Sequence, residues 1–285
     1  MTHNPILEIV NHVGVSASIM RAHDLVVQVS TGCVIAVEQL HEDCSVVPDV
    51  VCALEWLILH ELHHADLGHF ELMYGTPVLH LVSRKTCEAI PLNDLSKDLW
   101  DKVSPCLELQ ADHDALEMML GNYSADDWVS IRTQATSIAP VMILIEKADA
   151  EHVIEPSTHP KAATRIFQLL GHVSEMWSIP AHVKANARGE QTIRNEDLPP
   201  QVEVQAFNSE VVLPVFWDAV AFAEAAQAKS IISDLGSPED FFADIGRAKL
   251  GQWDELVTAG AREWATLKEA NELILPLLPI NQATN

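Results

Sequence analysis

The feature that most constrains this chain is an apolar run that ends in ionisable side chains. Residues 50–59 (Val-Val-Cys-Ala-Leu-Glu-Trp-Leu-Ile-Leu) are almost wholly apolar and read as a buried helix. Pro48 suits its first turn and Gly68 the position just past its end. The run leads straight into His60-Glu61-Leu62-His63-His64, an HExxH motif. Residues four apart share a helix face, so His60 and His64 can offer two imidazoles to one metal ion. Glu61 stands beside them as a carboxylate able to take a proton from a metal-activated water. The competing reading is a polar patch on a His-rich surface helix. A buried helix ending in ionisable groups must satisfy them, however, and a metal does that well. Two histidines leave such a site incomplete, because catalytic zinc usually takes a third protein ligand.

Composition narrows the partners. The 285 residues carry 41 acidic against 17 basic side chains, a formal net charge of −24, which argues against nucleic acid or an anionic membrane surface. Cys33, Cys44, Cys52, Cys87 and Cys106 are odd in number and form no CxxC pair, so reduced thiols in a cytoplasmic compartment are expected. The N-terminus shows no basic segment followed by an apolar one, so no signal peptide is read there. The longest apolar candidate, residues 133–145, is shorter than the roughly 18 residues a span requires and contains Pro140. No membrane span is expected.

Along the chain, residues 5–22 predict a first helix, with Ile6, Ile9, Val10 and Val13 at helical spacing. Residues 24–30 and 32–38, rich in Val and Ile, predict two strands just before the HExxH helix. An exposed edge of such a sheet can hold a peptide by strand addition, although a plain core hairpin fits equally well. Residues 77–83 predict another strand, and 91–97 a polar loop. Residues 105–120 predict a helix with Pro105 in its first turn, ended by Gly121. Residues 125–148 are helical with a possible break at Pro140, 155–160 form a loop, and 161–170 resume a helix. Residues 187–213 show no sustained period, and 214–230, 237–249 and 252–276 predict three helices.

The third ligand is not fixed by the motif. A third histidine ten residues after the first is absent, because Phe70 stands there. His69 follows His64 by five, which rotates it off the shared face, so it reads as a polar residue past the helix end. His63 is poorly placed for the same ion. Taken alone, Glu108 and Asp112 are an ordinary acidic helix face, and His159-Pro160 is a loop before a helix.

Taken together, His60-Glu61-x-x-His64, Glu108-x-x-Ala111-Asp112, Thr158-His159-Pro160 and Arg165 resemble the gluzincin zinc metallopeptidases of the CAAX-prenyl-protease and HtpX family and its soluble relatives. The likeness extends, more distantly, to the Lit-type phage-exclusion peptidases. It covers about residues 32–170, in order and spacing. The resemblance implies Glu108 as the third ligand of one Zn²⁺ per chain, and Asp112, one turn on, as a carboxylate orienting a ligand histidine. It implies Glu61 as general base, and His159 and Arg165 as stabilisers of the oxyanion of a tetrahedral intermediate. The family's membrane helices are missing here, so a prenylated or membrane substrate is not implied.

The expected fold is α+β and predominantly α-helical, with a zincin-like core, a small sheet beside the HExxH helix, and C-terminal helices. The expected organisation is a metallopeptidase domain over 1–187, a linker over 188–213, and a helical region over 214–285. The function expected is that of a zinc-dependent endopeptidase acting on peptide or protein substrates. The alternatives are a non-catalytic zinc-binding interaction protein, or a latent peptidase covered by its C-terminal helices.

Overall fold

A computed structural model describes residues 4–21, 24–44, 49–74, 95–151 and 158–278. Its order begins with three strands, β1 (Ile6–Val10), β2 (Ala17–Arg21) and β3 (Leu25–Ser30). Helices follow: α1 (Thr31–Asp43), α2 (Val50–Asp66), α3 (His69–Tyr74), α4 (Lys97–Leu120), α5 (Trp128–Glu151), α6 (Ala162–Val173) and α7 (Ile179–Ala187). The C-terminal part contains α8 (Gln201–Phe207), α9 (Leu213–Ala225), α10 (Lys229–Leu235), α11 (Pro238–Lys249) and α12 (Ala259–Ile274). The fold is α+β and predominantly helical, with one small mixed sheet.

The sheet has the order β1-β3-β2, with β1 parallel and β2 antiparallel to β3. In β3, Leu25, Val27 and Val29 are buried at every second position, the signature of a strand with one covered face. The predicted helix over residues 5–22 is replaced by β1 and β2. Residues 6–10 pair one for one with 26–30, so tertiary pairing overrides a rough helical spacing. The strand predicted over 32–38 is instead part of α1. Ser30 caps that helix by accepting from Cys33 N–H, and Cys33, Val37 and Leu40 form one buried helical stripe. The strand predicted over 77–83 lies outside the described residues, as does Pro48. The cap of α2 is Asp49, whose carboxylate accepts from the N–H groups of Val51 and Cys52.

Helix α2 is the hub. It packs against β2 and β3 on the sheet and against α1, α4 and α5. Trp56, Ala53 and Leu57 are buried in its middle, as the apolar run predicts. Gly68, at φ 80°, closes α2 in the left-handed region where glycine meets no Cβ penalty, and α3 starts at the next residue.

Both prolines expected at or near helix boundaries lie inside helices. Pro105 is within α4 and Pro140 within α5. Around Pro140, residues 135–144 are all buried, and that packing holds the helix through a residue that costs about 3 kcal/mol in an isolated helix interior. Residues 201–212, expected to be irregular, form α8 and a π-helical turn, Asn208–Val212. Four helices, α9 to α12, stand where three were expected. The stretches 125–151 and 201–225 are long and apolar enough to cross a membrane, but half or more of an apolar 18-residue window in each lies inside the fold, as in core helices.

Candidate metal centre

Each element contributes to the site for a local reason. The end of α2 presents His60, Glu61 and His64, α4 presents Glu108 and Asp112 one turn apart, and α6 presents Arg165. The donor atoms of His60, His64 and Glu108 all lie within 4.8 Å of one another. His60 Nε2 is 3.1 Å from His64 Nε2 and 3.1 Å from Glu108 Oε2, and His64 Nε2 is 3.4 Å from Glu108 Oε1. His63, though buried, is not one of these converging donors.

The outer nitrogen of each histidine decides what the inner one can be. His60 Nδ1 lies 2.9 Å from Asp112 Oδ1, a carboxylate oxygen that only accepts. His64 Nδ1 is 2.9 Å from His69 Nδ1, and His69 Nε2–H donates to Gln110 Oε1 at 3.1 Å. With His69 donating through Nε2, its Nδ1 accepts, so His64 Nδ1 carries the proton. Both Nε2 atoms then turn lone pairs toward each other and toward a carboxylate. Three such donors in a buried place repel unless a cation lies among them. The donor set, two neutral imidazoles and a carboxylate, fits zinc. A Gln110 amide that donates onward to Asn271 Oδ1 of α12 fixes the far end of this chain of contacts.

The electrostatics agree. Burial disfavours charge on His60, yet Asp112 and Glu108 raise its pKa to about 10, so the pocket strongly favours positive charge. Burial likewise opposes the Glu108 carboxylate, but His64, His60 and His159 hold it well below the usual carboxylate range. His69 is driven the other way: burial, and then His64, lower it to about 3, so it stays neutral and can serve as an acceptor. Burial raises Glu61, with His60 and His64 pulling it back down.

Arg165 is placed differently from the oxyanion position that the family resemblance implied. Its guanidinium grips Asp112 with two bonds, Nε to Oδ2 and Nη2 to Oδ1, both 2.7 Å. It also lies over the Trp56 ring, 5.6 Å from the centroid. The side chain is fully buried, and a charge sunk in the apolar face of α6 must be paired this closely. His159 does reach the site: Nε2 is 3.6 Å from Glu108 Oε2, and Nδ1 is 2.9 Å from Asp149 Oδ2.

A cleft of about 170 Å³ opens beside these groups. Glu61, His60 and His159 line one side, and Val15, Ser16 and Ala17, leading into β2, line another. A larger cavity of about 740 Å³ lies between α5 and the segment 209–218 and contains no member of the cluster. The sequence therefore brings together His60, Glu61, His64, Glu108, Asp112 and His159. Sequence pattern alone gives no role in the site to Trp56, His69, Gln110 or Asp149. His69 carried a visible signal, a glycine immediately before a histidine, since a left-handed turn at Gly68 reverses the chain and returns the ring to His64.

The model for the family described as peptidase U49 matches residues 36–178, half of the chain. The matched stretch runs from α1 to just past α6 and contains every residue of the cluster except the Asn271 support. No curated protein and no solved structure matches the chain.

Proposed function

The chain belongs to the peptidase U49 family, and we propose that it is a zinc-dependent endopeptidase of the gluzincin type. The observation that carries this reading is the convergence of His60, His64 and Glu108 next to a cleft lined by Glu61. A divalent ion held by those three residues supplies Lewis acidity and makes a water nucleophilic near neutral pH.

The chain's own residues account for the remaining work. Glu61 takes the proton of the attacking water and passes it to the leaving amine. Its burial and raised pKa suit a base that must both accept and release a proton. His159, oriented by Asp149, faces the cleft and donates to the developing oxyanion. Arg165 acts as a positioning residue: it fixes Asp112, which fixes His60. The substrate lies extended along the cleft, where β2, an edge strand among the described residues, can take a further strand.

A purely structural zinc closes its fourth position and needs no base, so Glu61 in the cleft favours hydrolysis over the non-catalytic alternative. The latent alternative finds less support, because α12 packs against α4 and α6, and among the described residues those lining the cleft run no later than His159. A reducing, cytoplasmic setting is part of the proposal, on the odd number of cysteines and the lack of a CxxC pair in the sequence.

Glu61→Gln tests the assignment. The variant is expected to retain the wild-type metal content and to lose nearly all hydrolysis of a mixed fluorogenic peptide library. Cleavage at the wild-type rate would show that another group is the base.

A further inference from the structure

A second group of metal-ligating side chains lies on the opposite side of α4. His113 and Glu117 of α4 and His172 of α6 bring one donor atom each to within 4.8 Å of one another. His113 and Glu117 follow Glu108 by five and nine residues, which places them about 140–180° around α4 from it. The cluster is therefore separate from the centre described above.

We propose that His113, Glu117 and His172 form a second site for a divalent transition-metal ion, which ties α4 to α6. The His113 ring is arranged as a ligand is. Its Nδ1 lies 3.2 Å from Asp114 Oδ1, leaving Nε2 to face Glu117 Oε1 at 3.6 Å. Contacts of this kind, with a carboxylate on one ring nitrogen and the other nitrogen directed at the remaining donors, orient and strengthen histidine ligands. The same pattern is formed by Asp112 on His60.

The His172 ring meets that of His113 edge to face, with centroids 5.6 Å apart. His113 and His172 also border a groove of about 270 Å³ together with Glu175, Lys249 and Lys268, which leaves the ion open to solvent. Asp114, Glu117 and Glu175 offset the two lysines. Two imidazoles and one carboxylate select zinc or a neighbouring first-row ion over Mg²⁺ or Ca²⁺.

An ion at this place would clamp the two helices that carry Glu108, Asp112 and Arg165. The site stands or falls independently of peptidase activity. The test is equilibrium dialysis of the metal-free full chain against zinc, comparing wild type with His172→Asn and Glu117→Gln. Each variant is expected to bind one equivalent fewer than wild type, whatever the wild-type total. Glu117 is exposed, so its variant carries the comparison if His172→Asn fails to fold. An unchanged zinc equivalent in a folded variant would overturn the proposal. A wild-type total of one, with none in the variants, would leave this site standing and refute the central one.

Discussion

At the residue scale, the decisive contacts are the ones that fix where protons sit. His60 and His64 are matched in sequence but supported by different chemistry, a carboxylate for His60 and a neutral histidine for His64. The weaker acceptor makes His64 the more sensitive ligand. His69→Phe keeps a similar buried volume and removes the acceptor, so it is predicted to lower zinc affinity by about 10–100-fold, the usual effect of losing such a partner. Chelator competition measures this, with the thermal midpoint as a check on folding. Affinity equal to wild type would mean that His64 is oriented some other way. His60, Glu61 and His64 were legible because helical spacing suffices to bring them together, and Glu108 only through the family resemblance. Gln110 and Asp149 were not, because their roles depend on packing between helices distant in sequence, and His69 was signalled only by the glycine before it. Arg165 was legible as a member of the site but not in its role, since only burial shows that its charge must be spent on Asp112.

At the element scale, the site depends on how closely α12 presses on α6. An added Cβ at Gly260 would lie 2.8 Å from the backbone of Ala163, two residues before Arg165. Backbone cannot yield as a side chain tip can. Gly260→Ala is therefore predicted to destabilise the protein by about 1–3 kcal/mol, the usual cost of overpacking, and to lower the thermal midpoint. A wild-type midpoint would show that the helices separate freely at this point. Elements were legible where one strong signal dominated, as in the apolar run of α2 or the alternation of β3. They were misread where local pattern and tertiary pairing disagreed. Residues 5–22 have helix-like spacing, yet Ile6–Val10 and Ala17–Arg21 within them complete a sheet, and Pro140 sits unbroken within α5 because the surrounding core holds it.

At the scale of the whole molecule, the C-terminal helices share the core of the metal-binding helices. Phe216, Phe222 and Phe241 are fully buried in one cluster with Ile138, Ile166 and Trp56. Removing residues 214–285 would expose that cluster, so a chain truncated after residue 213 is predicted to lose cooperative thermal unfolding by circular dichroism. A truncated chain that unfolds cooperatively would instead support a detachable C-terminal region. The same packing links Asn271 through Gln110 and His69 to His64, so the part outside the family match also supports the centre. The account as a whole rests on one ion held by His60, His64 and Glu108. Elemental analysis of Glu117→Gln, which removes the proposed second site, and of Glu117→Gln with Glu108→Ala, both purified without added metal, tests it most directly. The account predicts about one zinc per chain in the Glu117→Gln background and its loss or marked weakening when Glu108→Ala is added. Equal zinc in both, or none in either after reconstitution, would contradict it.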